Sequence, residues 1–140
     1  MSYAAGAALQ AAVYARLRDD PAVTALVGEA VFDAAPPGPV AGTYVSLGPE
    51  DVRDASDATG AGAEHDFTVS VVTDAAGFQT AKAVAAAVSE ALTGASARGA
   101  GLTLSRGHLV GLWFLRARAR RVETGALRRI DLTFRARIET

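Results

Sequence analysis

The feature that most constrains this chain is a pair of strand-like runs, LVGLWFLRARARRV and LRRIDLTFRARI, within residues 109–138. They flank the residues ETGA, in which a glycine follows a small polar residue, a pattern that favours a tight hairpin turn. With Thr124 and Gly125 as a two-residue loop, Val122 lies opposite Leu127, and the register of both strands follows. The sequence therefore predicts one long β-hairpin.

This register predicts two unlike faces, because side chains alternate along a strand. The apolar face sets large residues opposite small ones and pairs Trp113 with Ala136, Leu115 with Phe134, Ala117 with Leu132, and Ala119 with Ile130. The cationic face carries Arg116, Arg118, Arg120, Arg129, Arg135 and Arg137, with Asp131 opposite Arg118. In the same register, Leu112 lies opposite Arg137 and Phe114 opposite Arg135. A purely solvated face does not explain two large apolar side chains among arginines.

Length and composition set further limits. A chain of 140 residues has the size of one domain, so we expect a single domain over residues 1–140. The absence of cysteine excludes disulfides and thiolate chemistry. No apolar run approaches the roughly 20 residues of a membrane span, and the N-terminus lacks the pattern of a signal peptide. The sequence predicts a soluble protein that is made inside the cell and has no membrane partner.

Charge is divided unequally along the chain. Residues 1–97 hold four basic and twelve acidic side chains, a net charge of −8, whereas residues 98–140 hold ten basic and three acidic ones, a net charge of +7. This division favours an anionic partner, or association between unlike surfaces of neighbouring copies. The alternative is that both halves mix on one folded surface.

Apolar spacing and capping residues predict the other elements. These are a helix from a Ser2 cap to about Arg18, a short helix from Asp20-Pro21 to Gly28, a short strand at 31–32, a surface loop at 36–39, strands at 43–47 and 67–71, a helix at 78–92 and a short strand at 102–104. The acidic loop at 54–62 contains too few apolar side chains for their burial to offset the conformational entropy lost on ordering, so we expect it to be mobile. The order predicts an α+β fold, with an antiparallel sheet of about four strands, helices packed on one face and a long C-terminal β-hairpin.

No arrangement of residues indicates an enzyme, a metal site or a cofactor. The only histidines are His65 and His108, and although Glu64-His65-Asp66 could bind a metal, no second histidine lies at a ligand spacing. The serines lack a nucleophile-elbow pattern, and the glycines near residue 60 do not lead into a helix with a lysine. We expect no catalytic residues.

The arginine face allows three interpretations. Arginines along a ribbon could follow phosphates, with Phe114 stacking on a base, but few aromatic residues lie between them. A solvated face leaves Leu112 and Phe114 unexplained. Arginine also suits charged protein interfaces. We therefore predict a subunit interface of Leu112, Phe114, Arg116, Arg118, Arg120, Arg129, Arg135 and Arg137 against Glu50, Asp51, Asp54, Asp57 and Glu64 of another copy.

The order of motifs is similar to that of a known family. An alanine-rich helix leads into AVTALVG at 22–28, and TYVSLG, a polar loop, an F-x-V-x-V strand at 67–71, a helix and a strand pair follow. Over nearly the whole chain this resembles the tail terminator, or tail-completion, proteins of long-tailed phages, particularly those carried by bacterial gene transfer agents.

The resemblance implies a structural subunit that is made in the bacterial cytoplasm and incorporated into the tail of a virion. It implies a ring, expected to be a hexamer, that caps the tail tube, stops its polymerisation and docks the neck, or head-completion, protein. DNA would pass through the ring without sequence recognition. The alternatives are a nucleic-acid-binding module that uses the arginine-rich hairpin face, and a small-ligand-binding α+β domain.

Overall fold

A computed structural model describes residues 3–34, 40–57, 60–94 and 102–140. The elements in chain order are α1 (Gly6–Asp19), α2 (Pro21–Val27), β1 (Val31–Phe32), β2 (Thr43–Asp54), β3 (Gly62–Thr73), α3 (Gln79–Thr93), β4 (His108–Val122), a 3₁₀ turn (Glu123–Gly125) and β5 (Leu127–Glu139). The predicted α+β class is confirmed. The first helix starts later than predicted, because Ala5 and not Ser2 occupies the N-cap position of α1. Ser2 itself and the predicted loop at 36–39 lie outside the described residues.

The strands form one sheet in the order β1-β2-β3-β5-β4. The four long strands are antiparallel to their neighbours, and β1 adds a short fifth strand parallel to β2. The helices cover one face, where the apolar stripes of α1 and α3 pack on alternate residues of β3 and β5. We call this the helix side of the sheet and the opposite side the outer face.

The two N-terminal helices are separated at Asp20-Pro21, as the capping residues predict. The Asp20 carboxylate accepts a hydrogen bond from the Val23 N–H at 3.1 Å, and Pro21 occupies the first turn of α2. Gly28 ends α2 with φ +63°, a left-handed conformation that favours glycine. The predicted short strand at 102–104 is wrong, because these residues have no regular structure and Leu102 is buried against the core.

The acidic stretch is more ordered than the sequence suggests. β2 does not end at residue 47 but continues through a bulge at 48–49 to Asp54, where it still pairs with β3. The reason is that backbone pairing does not require apolar side chains. The connecting turn contains hydrogen bonds from the Ala55 N–H to the Gly62 carbonyl at 2.8 Å and from the Asp57 N–H to the Gly60 carbonyl at 3.0 Å. Residues 58–59 lie outside the description, and the mobility of this loop stays a prediction.

The C-terminal hairpin has the predicted register beside its turn. Val122 lies opposite Leu127, and the pairs Ala117–Leu132, Arg118–Asp131 and Ala119–Ile130 form as predicted. The predicted two-residue loop is wrong, because β4 ends at Val122 and β5 begins at Leu127, which leaves the four-residue loop 123–126. Glu123, Thr124 and Gly125 all have positive φ, at +52°, +52° and +91°, and the Ala126 N–H donates to the Glu123 carbonyl at 3.0 Å.

The first half of β4 corrects the predicted register. Shifts between Leu109 and Gly111 and between Phe114 and Arg116 leave Val110 and Leu115 as extra residues in bulges. Each extra residue moves the preceding part of β4 by one position and so exchanges its faces. The observed pairs are Leu112–Ala136, Trp113–Arg135 and Phe114–Phe134, in place of the predicted Trp113–Ala136, Leu115–Phe134, Leu112–Arg137 and Phe114–Arg135.

The corrected register changes which side chains are buried. Leu112 is only 6% exposed, on the helix side, whereas Trp113 and Leu115 are 48% and 41% exposed. Phe114 also lies on the helix side, in an edge-to-face contact with Phe134 at 5.9 Å between ring centroids. Leu112 and Phe114 therefore do not lie among the arginines, and Trp113 and Leu115 are not core residues.

This difference in burial can be tested by truncation. Phe134→Ala should destabilise the protein by about 3–5 kcal/mol, because it leaves a large cavity at the centre of the core. Leu115→Ala, the matched control on the neighbouring strand, should cost less than about 1 kcal/mol because its side chain lies outside the core and is 41% exposed. Urea unfolding of the two variants measures both values. A cost for Leu115→Ala as large as that for Phe134→Ala would contradict the bulge.

Candidate interaction surface

The outer face of the sheet is strongly charged. The register places seven arginines and four carboxylates on it, and these are Asp51 and Arg53 of β2, Glu64 and Asp66 of β3, Arg129, Asp131, Arg135 and Arg137 of β5, and Arg116, Arg118 and Arg120 of β4. The six predicted arginines therefore do share one face. Two of the predicted acidic partners, Asp51 and Glu64, lie on that same face of the same subunit.

The middle of this face is neutralised within the subunit. Arg135 binds the Asp66 carboxylate through two hydrogen bonds, Nε to Oδ1 at 2.8 Å and Nη2 to Oδ2 at 3.0 Å. This bidentate contact lowers the pKa of Asp66. Arg53 pairs with Glu64 at 2.7 Å, and Arg137 Nη2 donates to the Ala55 carbonyl at 2.9 Å.

A second charged group surrounds Asp131. The Ser70 hydroxyl donates to Asp131 Oδ1 at 2.6 Å, Arg129 Nε donates to the same oxygen at 2.9 Å, and Arg120 Nη2 reaches Oδ2 at 3.3 Å. Burial opposes ionisation of Asp131, but the hydrogen bonds from Ser70 and Arg129 outweigh it and lower the pKa of the carboxyl group. Arg120 and Arg129 therefore share one internal partner.

Unneutralised charge is concentrated on β4. Among the residues that the structure describes, Arg116 and Arg118 form no ion pair with a carboxylate. Open grooves of about 420 and 580 Å³ lie beside them on the outer face, floored in part by Thr68 and Thr133. β4 is the last strand of the sheet, and every residue from 113 to 121 is exposed.

Large apolar side chains accompany these arginines. Val110, Trp113, Phe114 and Leu115 are each between 41% and 48% exposed. The sequence analysis expected Phe114 at an interface, but it placed Trp113 and Leu115 in the core. The missed signal is the run LWFL, four consecutive apolar residues without alternation, which cannot define a face.

The remaining acidic residues of the predicted interface lie elsewhere. Glu50 lies on the helix side, where its carboxylate accepts a hydrogen bond from the Tyr3 hydroxyl. Asp54 and Asp57 lie at and beyond the end of β2, where Asp54 accepts from the Ser56 hydroxyl and Asp57 from the Gly60 N–H. The sheet therefore separates Glu50 from the arginines of the outer face.

Next to Glu50 lies a buried histidine. His65 is fully buried, neither ring nitrogen has a hydrogen-bond partner among the described residues, and Nδ1 is 3.9 Å from Glu50 Oε2. The Tyr3 ring stacks on the imidazole at 6.4 Å. Burial lowers the pKa of His65 from its usual 6.5, and the Glu50 carboxylate opposes this shift only in part.

The described residues hold no group of three or more histidine, cysteine, aspartate or glutamate side chains that could bind a metal ion. No helix in the described ranges is long and apolar enough to cross a membrane. The fold and its surfaces define a small α+β protein whose distinctive chemistry is a charged outer face and an apolar, cationic edge strand.

Comparisons with known proteins agree with this description. Residues 11–139 match the family described as tail completion protein gp17, and the chain belongs to that family. A solved structure described as the virion of a native gene transfer agent particle contains a chain that is 71% identical, with a TM-score of 0.88, and the match covers 99% of this chain and 100% of that chain. A search of curated protein sequences found no match. The resemblance predicted from the sequence is confirmed.

The buried histidine predicts a pH dependence of stability. Because the folded protein binds a proton at His65 less readily than the unfolded chain, the free energy of unfolding should fall as the pH drops below about 6.5. His65→Gln removes this titration, so its stability should change less between about pH 7 and pH 5. The exposed His108→Gln is the matched control and should keep the wild-type slope.

Urea unfolding across this range measures the effect. Equal slopes for the wild type and His65→Gln would contradict the assignment. The lowered pKa values of Asp66 and Asp131 predict a separate loss of stability, shared by all three proteins, at pH values below their usual 3.8.

Proposed function

We propose that this protein is the tail terminator subunit of a phage-like particle of the gene transfer agent type. Six copies form a ring that caps the tail tube and stops its polymerisation. The ring joins the tail to the neck protein, and DNA passes through its lumen without sequence recognition. The observation that carries this proposal is the match over the full length, at 71% identity, to a chain of a gene transfer agent virion.

The family assignment supports the same function and a location in the virion tail. The comparisons give no support to a nucleic-acid-binding module as the main function. A structural role also agrees with the distribution of chemistry in the described residues, which is placed on extended surfaces rather than converging on one pocket.

The distribution of charge supports a ring over a dimer. A surface that is cationic on one side of the subunit and acidic on another does not match itself about a two-fold axis. It matches the next copy after a rotation, and repeated rotation closes a ring. Of the predicted interface residues, Arg116 and Arg118 combine exposure with the absence of a carboxylate partner among the described residues, and Phe114 is a large apolar side chain that is 45% exposed.

On the acidic side of the interface, Asp51, Asp54 and Asp57 are exposed and belong to the other end of the sheet. Phe114 supplies an apolar anchor, and the charge pairs set the orientation of the subunits more than their affinity. Leu112 is buried in the core of its own subunit, so we no longer place it at the interface.

Loss of the protein should change the particles. Producer cells that lack it should make tubes of uncontrolled length that are not joined to heads, because nothing ends polymerisation or offers a docking surface. Electron microscopy of particles from deleted and complemented cells measures tube length and attachment. Normal tails joined to heads in the deleted strain would contradict the proposed function.

Charge reversal tests the interface. Arg116→Glu with Arg118→Glu should leave the monomer folded and abolish the ring, and Asp51→Arg in the same chain should partly restore it. Reversing Lys82 and Arg106, two exposed cations away from the outer face, is the matched control and should leave the ring intact. Native mass spectrometry, with and without tail tube protein, reads out assembly. Rings that persist in the reversed variant but no longer retain DNA would show that the arginines bind nucleic acid instead.

A further inference from the structure

The open edge of β4 is the least protected part of the sheet. This 15-residue strand pairs with β5 on one side and, within the described residues, with nothing on the other. Apolar side chains point to both of its faces, Trp113 to the outer face and Phe114 to the helix side. A long edge with open backbone groups and apolar side chains is a template for pairing with another strand.

The opposite edge of the sheet is also open. β1 pairs only with Val45 and Ser46, so that β2 beyond residue 47 has β3 as its one neighbour in the described part of the chain. We call β1 with this part of β2 the β1/β2 edge. Both ends of the sheet therefore present backbone groups that can accept a further strand.

The net charges of the two edges are opposite. β4 holds four arginines and no carboxylate, and all four arginines lie in its second half, at 116–121. The β1/β2 edge, with its flanking residues, holds one arginine and five carboxylates, and these are Glu29, Asp33, Glu50, Asp51 and Asp54. The two edges therefore attract each other through their net charge.

Strand direction is also compatible. The four long strands alternate in direction through the order β2-β3-β5-β4, so β4 runs opposite to β2. A neighbouring copy placed by rotation, with its β2 beside β4, would continue this alternation. The even number of long strands makes the two edges antiparallel to each other.

A two-fold pairing of β4 with β4 is the competing arrangement. It would also be antiparallel. Centred near Arg118 it would bring the four arginines of one copy against the four of the other, and centred near Leu115 it would set them against apolar residues that offer no opposite charge. Like charges across a strand pair are destabilising. The acidic β1/β2 edge meets no such repulsion. The occupant of the β4 edge is therefore a second copy of this chain, bound through its β1/β2 edge.

We infer that β4 of one copy pairs antiparallel with the β1/β2 edge of the next, so that one sheet continues from subunit to subunit. This inference rests on the proposed ring and adds main-chain pairing to its side-chain contacts. It also places the outer faces of all copies on the same side of the continuous sheet and all the helices on the other.

The absence of native cysteine allows a direct test. Ala117→Cys or Ala119→Cys on β4 is combined with a cysteine at Asp33, Val52 or Asp54, and the assembled protein is treated with short bismaleimides that tolerate differences in register. At least one pair should give a ladder of covalent multimers that stops at the ring number, whereas each single β4 variant should stay monomeric in a denaturing gel.

Three outcomes would overturn the inference. A covalent dimer from a single β4 cysteine would show the two-fold arrangement. Native mass spectrometry could show rings although no cysteine pair gives a cross-link. That result would leave the proposed function intact and exclude pairing between β4 and the β1/β2 edge. Failure of the protein to form rings under any condition, including with tail tube protein, would overturn both proposals.

Proline distinguishes main-chain pairing from mere proximity. Consecutive N–H groups of a strand point to opposite sides, and proline has no N–H group. Of the two variants Ala117→Pro and Arg118→Pro, one therefore loses a hydrogen bond to β5, whereas the other loses only an N–H donor on the open edge. The proline variant whose monomer unfolds at the wild-type temperature has its proline at the position that faces the open edge. That variant should fail to form rings. Assembly of that variant at the wild-type level would contradict strand pairing. The matched control is alanine at position 118, which keeps the N–H.

Discussion

The pairing of β3 with β5 is the constraint on which the rest of this structure depends. It runs without interruption from Gly62 opposite Glu139 to Thr73 opposite Arg128, and it joins the acidic part of the chain to the basic part. On the outer face it sets Arg135 against Asp66, and on the helix side it stacks Phe67 on Phe134 at 5.6 Å between ring centroids. The same backbone pairing thus brings opposite charges together on the outer face and apolar side chains together on the helix side.

This pairing also determines where charge is left over. The division into −8 and +7 along the sequence suggested that whole halves of the chain attract a partner, but the centre of the sheet uses much of that charge internally. The sign of the charge then differs between the two ends of the strand order, with arginines on β4 and mostly carboxylates around β1 and the far part of β2. The sheet is therefore electrically polar from edge to edge, a property that no single strand has by itself.

The hairpin shows how far the sequence alone could predict the fold and the candidate surface. Its place in the chain, its arginine face and the pairs next to the turn follow from strict alternation and from Gly125. The bulge at Leu115 does not, because an extra residue within an apolar run leaves no trace in the pattern. Likewise, the bulge at 48–49 moves Glu50 to the helix side, where Tyr3 binds it. Exposure of β4 depends on its place at the end of the strand order, which is tertiary information.

Edge strands are commonly protected by bulges and positive charges, and β4 has both. Such protection is selective, because arginines repel a second basic edge but attract an acidic one. A subunit with this edge would reject pairing with its own kind of edge and accept only the opposite one, so that copies add in a single direction. Head-to-tail addition of a twisted sheet turns by a fixed angle at each step, and when the angle divides a full turn the assembly closes. In this way the devices that keep one subunit from aggregating would also specify the assembly it enters.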